Sequence, residues 1–215
     1  MLTSLSERFS AVYRDRVWLN GRAGGSLSGL GSEFENTEIV RKHIAVLLKS
    51  IDTRSLLDIG CGDFTWMKEV FYPFNYIGVD IVPDLVQVNN SLYRSEQREF
   101  LVMDATHDSL PQADTILCRE VLFHLSFRDI WSFVENIRHS CSSYLIATTD
   151  NNIKYNADIL SGGFRMLNLQ KSPFCFPIPV QSIPDNRVSV GRTLSVWKVA
   201  DLPESRKRLR GTPGR

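Results

Sequence analysis

Apolar side chains recur along this chain with first one period and then another. They follow a helix-like spacing around Leu5 to Trp18, give way to a glycine and serine cluster from Gly21 to Ser32, and return at Val40, Ile44, Leu47, Leu48 and Ile51. Those offsets line one face of an amphipathic helix, with Arg41, Lys42 and Lys49 on the wet side. From Ser55 the pattern changes to short apolar runs: Ser55 to Ile59, Tyr76 to Val79, Phe100 to Met103, Thr115 to Cys118 and Tyr144 to Thr148. Helical patterns are expected between them at Phe64 to Val70, at Pro83 to about Leu92, and at Phe127, Ile130, Trp131, Val134 and Ile137. Pro83 suits a helix start because the first helical residue needs no N–H. Short buried strands alternating with helices predict an α/β fold with a doubly wound, mostly parallel sheet, since strand–crossover–strand units pack with one hand.

The rhythm stops at Asp150. Residues 151–184 are rich in Asn, Gly, Pro and aromatics and are too long for an ordinary connection, so they are expected to be irregular and to build a binding surface. A last strand is predicted at Thr193 to Val199. The expected organisation is an N-terminal helix with a glycine-rich lid or connector (1–33), one catalytic domain (34–203) with an acceptor-site insertion at about 150–184, and a basic, flexible tail (204–215).

Composition narrows the class further. In 215 residues, 43% hydrophobic and 23% charged, there is chain enough for one folded domain and no sign of wholesale disorder. No apolar run reaches the roughly 18 residues of a membrane helix, and the start lacks an export signal, so a cytoplasmic protein without a membrane partner is expected. The net charge of +1 supplies no field for drawing in nucleic acid. Five of the basic residues, Arg206, Lys207, Arg208, Arg210 and Arg215, fall in the tail against Glu204 alone, which leaves the body mildly acidic. Cys61, Cys118, Cys141 and Cys175 are spaced neither as zinc ligands nor as a disulfide framework, so no metal and reduced thiols are expected.

The chemistry concentrates at Leu56-Leu57-Asp58-Ile59-Gly60-Cys61-Gly62-Asp63. A strand running into a glycine turn lets a ligand approach the backbone, and a helix beginning there would offer free N–H groups. Asp80, twenty residues beyond Gly60 and at the end of the next strand, is placed to accept both hydrogen bonds of a ribose diol. A third glycine, which close packing around a dinucleotide pyrophosphate would require, is replaced by Thr65. The acid Asp58 beside the turn suits a ligand that brings in positive charge. An NAD(P)-dependent reductase is thereby disfavoured, and S-adenosylmethionine becomes the expected cofactor.

At this point the chain resembles the class I S-adenosylmethionine-dependent methyltransferases. The likeness runs through Leu57 to Gly62, Ile77-Gly78-Val79-Asp80, Met103-Asp104-Ala105 and Ala113 to Cys118, and covers about Ser55 to Thr149. Residues Cys118 to Leu125, Asn156 to Ile159 and Arg165 to Leu169 are similar to a less studied, mostly bacterial branch. The resemblance implies a seven-stranded, Rossmann-like sheet whose final hairpin holds its only antiparallel strand. By position it implies that Asp58, Gly60, Cys61 and Gly62 line the methionine moiety, Asp80 the ribose, Ile81 the adenine face, and Asp104 with Ala105 the adenine edge. Cys118 and Arg119 would close the far side. The Asn/Asp-Pro-Pro-aromatic motif of many base methyltransferases is missing from Cys118 to Val121, so a small-molecule acceptor is expected over nucleic acid. For proton removal His124 is the first candidate and Glu120 the second, and Asn156, Asp158, Arg165 and Asn168 are candidates to hold the acceptor. A non-catalytic cofactor-binding or partner-supporting subunit stays open as an alternative, as do the acceptor atom, oxygen or nitrogen, and the oligomeric state.

Overall fold

The computed structural model describes residues 4–71 and 73–204; the basic tail from residue 205 onward lies outside the described residues. Ser4 caps the first helix, α1 (Leu5–Arg14), in a reciprocal capping box with Glu7. A loop with short 3₁₀ turns at Val17–Leu19 and Leu30–Ser32 leads to α2 (Glu38–Ser50). There follow β1 (Ser55–Ile59), β2 (Asn75–Asp80), α3 (Pro83–Tyr93), β3 (Arg98–Val102), β4 (Thr115–Cys118), α4 (Phe127–His139), β5 (Tyr144–Asp150), β6 (Gln181–Pro184) and β7 (Arg192–Lys198).

The strands form one seven-stranded sheet in the order β3-β2-β1-β4-β5-β7-β6. Strands β1 to β5 pair in parallel, while β7 runs antiparallel to both β5 and β6. Alternate strand residues serve two cores, as the period of two requires. Leu57, Ile59, Ile116, Leu145 and Trp197 face α1, α4 and the segment after β5. Leu56, Leu117, Ile146, Leu194 and Val196 face α2 and the connection between β1 and β2.

Two expectations change. The stretch Phe64 to Val70 is not an α-helix but a set of turns with a single 3₁₀ turn at Met67–Glu69. Phe64 adopts a left-handed conformation (φ 57°) and is buried against Tyr76, Tyr93 and Phe100, with ring centroids 5.1 to 5.2 Å apart. An aromatic anchored that way diverts the backbone before a helix can start, so no helix N-terminus stands at the tip of β1. The region read as wholly irregular, 151–184, ends in β6, which covers the outer edge of β7.

Candidate functional site

Polar side chains gather where the parallel strands end, because a backbone leaving the sheet there is no longer held by neighbouring strands. A cleft partly open to solvent lies over the carboxyl ends of β1, β2 and β4 and the turn after β3. Its floor is Ile59, Gly60, Val79, Asp80 and Ile81, one wall is Met103 to Thr106, and another runs from Arg119 to Val121 with His124 and Leu125. The N-terminal segment forms the roof with Leu5, Phe9, Tyr13, Trp18, Ser28 and Ser32.

Asp63 fastens that roof. Its Oδ2 accepts from Ser26 Oγ (2.8 Å) and the Leu27 amide (2.7 Å), while its own amide donates to Ser28 Oγ (3.0 Å). Ser28 is also bonded to the Tyr13 hydroxyl at 3.0 Å. A Cβ at Gly62 would collide with Ser28, so the bare backbone of Gly62 makes room for the roof. A Cβ at Gly60 would overlap Val121, which makes the glycine there a condition of packing against the β4 turn as well.

The acids Asp58, in β1, and Asp80, at the end of β2, have different surroundings. Asp80 lines the cleft, and its carboxylate is oriented by the amides of Gly62 (to Oδ2) and Val82 (to Oδ1), both at 3.0 Å. Each oxygen retains a lone pair. Burial raises its pKa to about 6, the amide bonds opposing the rise. Asp58 points instead into the core on the α2 face, where the Tyr76 hydroxyl donates to it at 2.6 Å. Burial pushes this carboxyl up to about 7 against the pull of that bond. Cys61, Gly62 and Cys118 likewise stand outside the cleft lining, and burial raises both thiols, so neither is primed as a thiolate. Ile81, Asp104 and Ala105 do line the cleft, with Asp104 Oδ1 engaged by the Thr106 amide (2.9 Å) and hydroxyl (2.6 Å).

At the β4 end, Arg119 forms a two-pronged pair with Asp185 (2.9 and 2.8 Å) and donates to the Gly31 carbonyl (2.9 Å). Glu120, in a left-handed conformation (φ 60°), lies 3.8 Å from Arg119 and 2.7 Å from Arg192, which also bonds Asp150 at 3.0 Å. Asp185, Arg119, Glu120, Arg192 and Asp150 thus form a chain of alternating charges under the cleft. The carboxylate of Glu120 is thus engaged by the Arg192 guanidinium.

His124 lines the cleft with its Nδ1 2.7 Å from the Gly163 carbonyl. A carbonyl only accepts, so Nδ1 carries the proton and Nε2 presents the lone pair. The ring stacks on Trp18 at 4.7 Å and 29°. Burial lowers its pKa to about 4, aided by Arg165 and Arg192 and opposed by the Gly163 bond, so the imidazole is neutral at ordinary pH.

The four residues chosen to hold an acceptor are absent from the cleft lining. Asn156 and Asn168 brace the segment after β5 through one another: the Asn168 amide donates to Asn156 Oδ1 at 2.9 Å, and Asn156 Nδ2 donates to the Asn168 carbonyl at 2.8 Å. Asp158 accepts the Phe127 amide at the start of α4 (2.7 Å), and Arg165 donates to the carbonyls of Ala157 and Leu122. Sequence reasoning did not select Ser28, Met103, Thr106, Val121, Asp185 or Arg192. Ser28, Asp185 and Arg192 meet the site through long-range contacts and carry no local motif, whereas Met103, Thr106 and Val121 adjoin residues that the sequence singled out.

The sheet order and the cleft at its parallel strand ends define a Rossmann-like methyltransferase fold. Residues 57–143 match a family model described as a methyltransferase domain. Similar solved structures include human N-acetylserotonin methyltransferase in complex with SAM (16% identity, TM-score 0.63, covering 91% of this chain and 60% of that one). Another is the Burkholderia thailandensis 1,6-didemethyltoxoflavin-N1-methyltransferase with bound 1,6-didemethyltoxoflavin and S-adenosylhomocysteine (14%, TM-score 0.56, 92% and 91%). A third is the methyltransferase domain of bacterial CtHen1 (13%, TM-score 0.56, 76% and 99%). At such identities the likeness is one of fold, and the chain spans 60% of the length of the human enzyme. No curated protein matches by sequence. In that domain match and in its architecture the chain is similar to the class I S-adenosylmethionine-dependent methyltransferases, whose fold it shares. Among the described residues no helix is long and apolar enough to cross a membrane, and no cluster of His, Cys, Asp and Glu suits a metal ion.

Proposed function

We propose that this protein binds S-adenosylmethionine in the cleft and transfers its methyl group to a small polar acceptor, at oxygen or nitrogen. The observation that carries the reading is the Asp80 carboxylate, held by two amides at the floor of a cleft whose walls present both apolar and polar side chains. Its remaining lone pairs suit a ribose diol, and Ile81, Met103, Leu125 and Phe133 offer apolar surface for a purine. Asp104 and Ala105 border the same end. The bound cofactor supplies a sulfonium methyl, and the protein mainly contributes alignment for an in-line displacement. Asp58 assists by holding Tyr76 and the β1 tip in place rather than by touching the ligand. The N-terminal segment acts as a lid fastened by Asp63.

His124 is the base. Its Nε2 takes the acceptor's proton, and the Gly163 carbonyl steadies the ring. An imidazole with so low a pKa is a weak base, but it is available in the neutral form throughout the physiological range. Titration calorimetry with S-adenosylmethionine tests the binding step, and mass spectrometry of a cell extract incubated with protein and methyl-labelled cofactor tests transfer. Binding with a labelled product is expected. Absence of binding would remove the reading, and binding with no labelled product would leave a cofactor-binding subunit. With the acceptor so identified, His124→Gln should slow transfer and leave cofactor affinity unchanged.

A further inference from the structure

We infer that the acceptor is an uncharged, flat ring compound presenting a hydroxyl or ring N–H to His124 Nε2, and that carboxylate- or phosphate-bearing acceptors are turned away. The inference rests on the methyl-transfer reading and narrows its substrate class.

The charges come first. Among the described residues Arg119 is the only arginine or lysine lining the cleft, and its guanidinium is engaged by Asp185 on two nitrogens and by the Gly31 carbonyl. Two further arginines act on His124 from outside the cleft lining: Arg192, held between Asp150 and Glu120, and Arg165, which donates to the Ala157 and Leu122 carbonyls and keeps a buried Nη2 without a partner among the described residues. Three acids, Asp80, Asp104 and Glu120, line the same cleft. An anionic acceptor would lose its hydration there without gaining a counter-charge, and buried charge without a partner is strongly disfavoured.

The walls point the same way. Beside His124 the cleft presents Trp18, Phe9 and Val121. Trp18 stacks on the imidazole and receives Tyr13 edge-on at 5.0 Å, so the roof at this end is a continuous aromatic surface. Such a surface favours the face or edge of another ring over a flexible polar chain.

The remaining polar group sets the chemistry. His124 Nδ1 is committed to Gly163, and Nε2 has no hydrogen-bond partner among the described residues. An acceptor-only nitrogen selects a ligand that carries a donor hydrogen. In the transfer, that O–H or N–H proton moves to Nε2 as the acceptor atom bonds to the methyl carbon. The carbon–sulfur bond pair stays on sulfur, giving a neutral thioether, and the imidazolium then releases its proton to solvent.

Two probes with one skeleton separate the possibilities: 2-naphthol and 6-hydroxy-2-naphthoate, added to the S-adenosylhomocysteine-saturated protein with ring-¹⁵N histidine observed by NMR. His124→Gln identifies the resonance. The expected result is that 2-naphthol shifts the His124 Nε2 signal and binds at least about tenfold more tightly than the carboxylate. Equal or tighter binding of the naphthoate, or no response of His124 to either probe up to their solubility, would overturn the inference. Calorimetry with S-adenosylhomocysteine alone keeps the failures apart. If the cofactor product does not bind, both readings fall; if it binds and the naphthol does not, only the acceptor class falls.

Discussion

Asp58 and Asp80 show how one residue type takes two roles on neighbouring strands. The β1 pleat turns Asp58 toward Tyr76 and away from the cleft, whereas Asp80, at the last position of β2, reaches its floor. Replacing Asp80 by Ala should weaken cofactor binding by roughly 1 to 3 kcal/mol, through lost charge-assisted hydrogen bonds, measured by calorimetry. Asp80→Asn, which keeps the side chain's shape and accepts from one of the two amides, separates loss of the charge from loss of the whole side chain. Asp58 is a stability determinant. Its folded pKa, about 7, lies above the ordinary carboxyl value of 3.8, so the folded state holds the proton more firmly. Its stabilising contribution is therefore complete below about pH 4 and is lost as pH rises to about 7, with a slope of at most about 1.4 kcal/mol per pH unit. Asp80 acts in the same direction over a narrower window, and His124, depressed to about 4, acts in the opposite one. In urea denaturation at pH 5 and pH 8, Asp58→Asn should reduce the loss of stability on going to the higher pH. An unchanged difference would mean that Asp58 is ionised in the folded protein at pH 5.

Among the elements, the N-terminal segment was the least legible. A helix pattern followed by glycines and serines fits a lid and a connector equally well, because nothing local records which distant surface the serines meet. The fold brings Ser26, Leu27 and Ser28 onto Asp63, and Tyr13 and Trp18 over the cleft. Asp63→Ala should release this clasp while leaving the sheet intact. Faster hydrogen exchange across 20–32 and a severalfold faster release of S-adenosylhomocysteine in stopped flow are expected, and unchanged exchange would show that Asp63 does not hold the roof. The misread helix after Gly62 has a comparable cause. Phe64 to Val70 carries residues that tolerate a helix, yet burial of Phe64 among Tyr76, Tyr93 and Phe100 overrides that weak preference.

For the molecule as a whole, the alternating ion chain from Asp185 to Asp150 ties together the ends of β4, β5 and β7, the loop after β6 and the N-terminal roof. Arg192→Met would leave the buried Asp150 and the half-buried Glu120 without their shared cation. A loss of about 3 to 5 kcal/mol in urea unfolding is expected, and a loss below about 1 kcal/mol would show that water or rearrangement replaces the pair. None of this ion chain was visible beforehand, since its five members are spread from residue 119 to residue 192 without a motif. The strand–helix alternation, the glycine turn and the acids at strand ends were visible, because they arise from chain periodicity and from short spacings that any single strand–turn unit must obey. Which acid faces the cleft, which histidine nitrogen is left with a lone pair, and what roofs the cleft depend on contacts between segments far apart in the chain. Those contacts are settled only when the two cores pack on opposite faces of the sheet.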